Sequence, residues 1–276
     1  MKKALLIALS LILVGGIIFV IVMTSLKWEF TRLVSDDYTT STYTVEEQYS
    51  GIKITANTAN ITFAPSTDGK TTVTSYANED IICNVTVSDG TLVIEMNDTR
   101  KWYEKLISGG ADLTVSIPAG DYAALKIDIA TGDAVVPADF SFASIDIDTT
   151  TGDIECMASA SGNINIEATT GDVTLNGITA QNLSIDISTG NVNINNTTVE
   201  NKLKIDGTTG DVEMYSLLAG EIEIKLTTGD VTGSLKAPMI ITTKVTTGDV
   251  SVPENTVGGN CSITATTGDI TITYCE

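Results

Sequence analysis

The chain has 276 residues, with 35 acidic against 15 basic side chains, no histidine and a net charge of −20. A surplus of acid this large excludes a nucleic-acid binder, which needs a basic groove to neutralise phosphates. It equally opposes adsorption to an anionic lipid surface. The lack of histidine removes Ser-His-Asp and Cys-His catalysis and the common zinc ligand sets.

The first predicted element runs from Ala4 to Leu26, 23 residues without a charge. As a helix it would span about 34 Å, enough to cross a hydrocarbon core of roughly 30 Å. A cleaved signal peptide would have an apolar region of only about 7–15 residues and a small-residue cleavage site. Met23-Thr24-Ser25 puts a bulky side chain where a small one is needed, and the first cysteine, Cys83, lies too far along for lipidation. Residues 1–26 therefore read as an uncleaved, single-pass signal anchor in the cell membrane. Lys2 and Lys3 precede the stretch, and Lys27 and Arg32 follow it. Long domains cross largely regardless of such charges, so the remainder is expected outside the cytoplasm. Residues 27–44 are rich in Thr, Ser and Asp and read as a polar stalk.

Strand signals begin near residue 45. Ile52-Lys53-Ile54 followed by Thr58-Ala59-Asn60-Ile61 looks like a worn copy of a motif that dominates the second half of the chain, with Ala59 and Asn60 in place of Gly and Asp. Cys83, Val85 and Val87, then Asp89-Gly90, then Leu92, Ile94 and Met96 predict a β-hairpin. Asn97 to Gly110 breaks the alternation and reads as a loop or a short helix. Residues 45–118 are assigned as a divergent N-terminal β cap continuous with the repeats that follow.

Residues 119–276 carry eight bends. Gly132, Gly152, Gly171, Gly190, Gly210, Gly229, Gly248 and Gly268 recur at 19- or 20-residue intervals, each preceded by Thr. They are followed by Asp133, Asp153, Asp172, Asn191, Asp211, Asp230, Asp249 and Asp269. A fixed period of this length marks a stacked repeat array. Apolar residues keep register with the glycine, as in Ile127, Ile147, Ile166, Ile185, Ile205 and Ile224 five positions before it and Val173, Val192, Val212 and Val231 two after. Within each segment the period is two, which is strand patterning. The expected fold is all-β, a β-solenoid or β-helix-like stack of 19–20-residue coils preceded by one transmembrane helix. At a strand spacing of roughly 4.8 Å, eight coils would rise about 38 Å. Handedness and cross-section are not encoded in this pattern. The glycine is expected to supply a positive φ, and the following Asp or Asn an Asx-type bond to nearby backbone.

Four positions before the glycines stand Asp128, Asp148, Glu167, Asp186 and Asp206, then Lys225, Lys244 and Thr264. Stacking would place the five acids in one outward stripe, repelling by about 0.9 kcal/mol per neighbouring pair at water's dielectric before salt screening. The stripe reads first as a solvated face. A ladder of Ca²⁺ ions, which take carboxylate and carbonyl oxygens, is the second reading, and no other cofactor is implied. Cys156 and Cys261 fall on inward rows and read as small buried apolar residues. Cys275 falls out of phase, and the four cysteines make no disulfide framework.

The anchor, the worn first repeat and the array written in INIEATTGDVTL and IEIKLTTGDVTG together resemble the bacterial putative-adhesin family of envelope proteins. The resemblance covers about residues 45–276. It implies β-strand repeats with Ser/Thr-Gly-Asp bends and an envelope location, and it brings no catalytic or ligand residues. The expected function is a membrane-anchored, non-catalytic surface or adhesin-like module that binds a protein or a surface glycan. The alternatives are an envelope regulator or scaffold and a β-helix carbohydrate-active enzyme. The end of the stack beyond Tyr274 is a candidate edge for end-to-end self-association.

Overall fold

The computed structural model describes residues 15–17, 19, 20, 24, 38–100 and 109–275. The chain divides into two units, one of residues 1–38 and 100–109, the other of residues 39–99 and 110–276. In the first, Gly15–Ile17, Phe19, Val20 and Thr24 are helical, and the Thr24 hydroxyl donates to the Val20 carbonyl at 2.6 Å. Among the described residues no helix is long and apolar enough to cross a membrane. The anchor expected over 1–26 falls mostly on residues outside those described.

The second unit is a stack of two-strand coils whose strands lie in two sheets. Its N-terminal part contains β1 (Tyr38–Val45), β2 (Gly51–Pro65), β3 (Thr71–Asn78), β4 (Ile81–Ser88), β5 (Thr91–Asp98) and β6 (Ala111–Ile117). The stalk expected over 27–44 is strand from Tyr38 onward, where β1 pairs with β3, and its earlier residues lie outside those described. Its Tyr/Thr/Ser composition suits an exposed edge strand as well as a linker. The predicted hairpin is formed by β4 and β5 in antiparallel register about Asp89-Gly90, with Val85 opposite Ile94.

The repeats then follow as β7 (Gly120–Thr131) with β8 (Ala134–Val136), β9 (Phe140–Thr151) with β10 (Ile154–Cys156), and β12 (Asn163–Thr170) with β13 (Val173–Asn176). Short β11 (Ser159–Ala160) lies beside β9. Next come β14 (Thr179–Thr189) with β15 (Val192–Asn195), and β16 (Thr198–Thr209) with the first half of β17 (Val212–Thr228). The second half of β17 pairs its coil with β18 (Val231–Leu235). Last in sequence are β19 (Met239–Thr247) with β20 (Val250–Ser251), and β21 (Gly259–Thr267) with β22 (Ile270–Tyr274). Neighbouring coils are parallel and in register, so Ile127, Ile147, Ile166, Ile185, Ile205, Ile224 and Ile263 stack as one ladder. Each of these isoleucines is at most 1% exposed. One such buried side chain contributes roughly 1.5–3 kcal/mol, and one coil alone could bury none of them.

Spatial order departs from chain order at both ends. At the start, β2 joins the β7/β8 coil on one side and β5 and β6 on the other. The chain therefore passes outward to β3 and β4 before β5 and β6 fill the gap, pairing antiparallel with them. At the finish, β21 lies between β17 and β19, and β22 between β18 and β20. The last coil in sequence is thus interior, and the coil before it is outermost. This overturns the expectation of an open edge beyond Tyr274.

Side chains account for the inversion. In chain order Lys225 would abut Lys244; in the observed order the neutral Thr264 separates them. Chain order would also press Thr243, which occupies an inward row, between Ile224 and Ile263. A hydroxyl buried there without a partner costs free energy. At the end of the stack Thr243 is only half-buried, while Ile263 and Ile270 of the inserted coil are fully buried.

Candidate functional site

The bends form a continuous ladder along one corner of the stack. Every bend glycine has φ between +134° and +143°, a region costly for residues with a Cβ. Space is equally decisive. A Cβ on Gly152 would lie 2.0 Å from the Gly132 carbonyl oxygen, and one on Gly210 would lie 1.8 Å from that of Gly190. The aspartates do not form the local Asx turns expected of them. Asp133 Oδ1 accepts the Asp153 N–H at 2.8 Å, Asp153 Oδ1 that of Asp172 at 2.8 Å, and Asp172 Oδ1 that of Asn191 at 2.7 Å. Asn191 Oδ1 continues to Asp211 at 2.9 Å, and the series runs through Asp230 and Asp269 to Asp249. Each N–H that follows a bend glycine thus points along the stack axis to the side-chain oxygen of the preceding coil in the stack. The worn repeat belongs to the same ladder, since Asn60 Oδ1 accepts the Asp133 N–H at 3.2 Å. These residues bind coil to coil and present no reacting group.

The five predicted acids are brought together. Asp128 faces Asp148, Asp148 faces Glu167, Glu167 faces Asp186 and Asp186 faces Asp206, all on the outer side of the sheet. Lys225 follows Asp206, then Thr264 and Lys244. Among the described residues no three His, Cys, Asp or Glu side chains converge to hold a metal ion. The row runs coil to coil, with Asp146 beside Asp148 on the same outer face.

Beside this row lies an ion-pair cluster that sequence reading missed. Lys202 Nζ contacts Glu221 at 2.9 Å and Glu223 at 2.6 Å, Lys204 contacts Asp206 at 2.5 Å, and Lys225 contacts Glu223. Lys202, and after it Lys225, hold the Glu223 carboxyl down to about 2. Further along, Lys126 pairs with Asp146 at 3.0 Å, which raises the lysine. The signal was available: alternating charges at Lys202, Lys204 and Asp206 recur one period later as Glu221, Glu223 and Lys225.

The other concavities are shallow. One near the N-terminal end is lined by Glu46, Glu47, Tyr49, Lys70 and Tyr122 among others. Its aromatic wall is a stack of Tyr49 on Tyr122, with centroids 6.1 Å apart and planes inclined by 16°. Their hydroxyls are engaged with Thr71 and the Pro118 carbonyl, and burial raises both phenols. Cys83 and Cys156 are pushed up to about 11 and Cys261 to about 12 by burial, so none is a ready nucleophile. Cys275 is exposed, and its hydrogen bonding with Ser216 and Ser234 lowers it.

Against known proteins, the profile of the Toastrack DUF4097 family matches residues 49–276. The chain belongs to this family. Its fold is similar to the crystal structure of a putative adhesin from Bacteroides fragilis NCTC 9343, at 19% identity and a TM-score of 0.51, covering 87% of this chain and 98% of that one. A putative adhesin from Parabacteroides distasonis ATCC 8503 matches at 14% identity and a TM-score of 0.45, over 84% and 99% of the two chains. A putative cell adhesion protein from Clostridium sporogenes ATCC 15579 matches at 11% and 0.30, over 87% and 100%. No curated protein matches. The Toastrack assignment and the first of these structures bear out the resemblance to β-strand-rich putative adhesins seen in the sequence.

Proposed function

We propose that this Toastrack protein is a non-catalytic surface module, held at the membrane by its N-terminal apolar segment and facing away from the cytoplasm. Its outward polar rows would bind a partner protein or a surface glycan. The observation that carries this reading is the register: five acids from five successive coils form one outward row on a scaffold whose core and bends are shared. The similar Bacteroides fragilis protein is a putative adhesin, which favours the same class. The chemistry at hand agrees, since the acids are solvated and the thiols inside the stack are buried.

The test is attachment of cells displaying the full chain, compared with the triple variant Asp148→Lys, Glu167→Lys and Asp186→Lys. These side chains are exposed, so folding and surface level should persist while attachment falls. Unchanged attachment by a well-folded triple variant would refute the acidic row as the binding face. Membrane fractions stripped with alkali test the anchor: the full chain should stay with the pellet, and a chain lacking residues 4–26 should not.

A further inference from the structure

The end of the stack formed by β19 and β20 is an unfinished core. Among the described residues these strands pair on one side only, with β21 and β22. The inward rows that are sealed elsewhere open here. Val250 is 44% exposed, whereas its counterparts Val231 and Ile270 are 0% exposed. Ile241, Val245 and Val252 are half-buried, and Ile240 is exposed. The nine residues of β19 are rich in Ile, Val and Thr, with Lys244 the sole charge, a composition suited to further strand pairing.

The opposite end is closed differently. There β3 and β4 run antiparallel to β6 and β5, and β1 adds to β3. The outer strands β3 and β4 at that end therefore offer no parallel continuation for a ladder ending at β19. Charge points the same way. The acidic row repels a like molecule along the middle coils, but at this end it has given way to Lys225, Thr264 and Lys244.

We infer that β19 and β20 form a self-association surface, and that two copies of this chain join there tail to tail about a two-fold axis. An extended peptide could continue only one of the two sheet edges and would leave the apolar floor between them uncovered. A second copy presents two edges at the same separation and an identical floor, so one isologous contact covers both. β19 then pairs antiparallel with β19 of the second copy. The pairing stands on this geometry alone; that it links molecules on facing surfaces rests on the surface role proposed above.

Sedimentation of the full chain in detergent across a wide concentration range tests the pairing. The expected result is a reversible dimer that Val250→Asp weakens more than about tenfold, with thermal unfolding of the monomer little changed. Ile82→Asp, an exposed position on β4 at the closed end, should leave the dimer intact. Thr242→Cys or Lys244→Cys, in a Cys275→Ser background, should form disulfide-linked dimers. A monomer at every concentration, a dimer indifferent to Val250→Asp, or one lost only on Ile82→Asp would overturn the inference. If cells displaying Val250→Asp still attach while the purified variant no longer dimerises, the pairing survives and its adhesive use is refuted.

Discussion

The two ends of the stack meet the same difficulty and resolve it differently. Each lets the chain run past one position and return to fill it, with β5 and β6 at the start and with β21 and β22 at the finish. The first end then reverses strand direction: β3 and β4 are antiparallel to β6 and β5, and β1 adds to β3. The second keeps the parallel direction and leaves β19 and β20 open. A reversed pair blunts an end because it offers no template for another parallel coil. An open parallel coil does offer one, and only its polar inward residue Thr243 and its single lysine moderate it. Placement is thus decided by what each coil carries, since every coil has the bend needed to stack anywhere.

The sharpest way to break this comparison is at the glycines. Gly210→Val, in an interior coil, sets a β-branched side chain at φ +134° and 1.8 Å from the Gly190 oxygen. It should cost more than about 4 kcal/mol or prevent folding, as read by denaturant unfolding. At Gly248 the crowding is similar, 2.0 Å from the Gly268 oxygen. Its coil is outermost, however, so the loss is capped at the cost of detaching that coil and the fall in Tm should be smaller.

Thr264→Lys tests why the last coil is inserted. It places an ammonium between Lys225 and Lys244 and should cost at most about 0.9 kcal/mol for each neighbour at water's dielectric, with the loss shrinking in high salt. A similar loss with no salt dependence would mean that charge does not set coil order. Within the interior, Thr149 is 1% exposed and its hydroxyl has no hydrogen-bond partner. Thr149→Val should therefore raise stability by about 1 kcal/mol, checked by thermal unfolding.

The smallest expected effect is at the ion-pair cluster. The folded-state value of Glu223 lies below its ordinary one of 4.5, at about 2. Its stabilising share is complete above the ordinary value and is lost as pH falls toward 2. Glu223→Gln should lower stability at neutral pH by under about 1 kcal/mol, because the pairs are solvent-facing, and the difference should vanish below pH 2.

The interior of this molecule was legible because a strict period fixes register. Ile127 and Ile147, or Asp128 and Asp148, had to meet once coils stacked. The Asp133 to Asp153 bond was not legible, because residue spacing does not reveal that the N–H after each bend glycine points along the stack axis. Coil order at the ends was hidden for a related reason: identical periods make every coil a possible neighbour of every other. The clues were the exceptions, Thr243 on an inward row and Lys225 in phase with Lys244, and they acquire meaning only beside the coil that separates them. The acidic row was foreseen, but not the ion-pair cluster beside it, where Lys202 reaches Glu221 and Glu223 some twenty residues away in sequence.

Native-state hydrogen exchange of the amides in β19 to β22 tests the central claim most directly. The inserted order predicts that β21 and β22, though nearest the C-terminus, exchange as slowly as the interior coils, while β19 and β20 exchange first. Faster exchange in β21 and β22 than in β19 and β20 would mean that the coils stack in chain order, and would contradict the account.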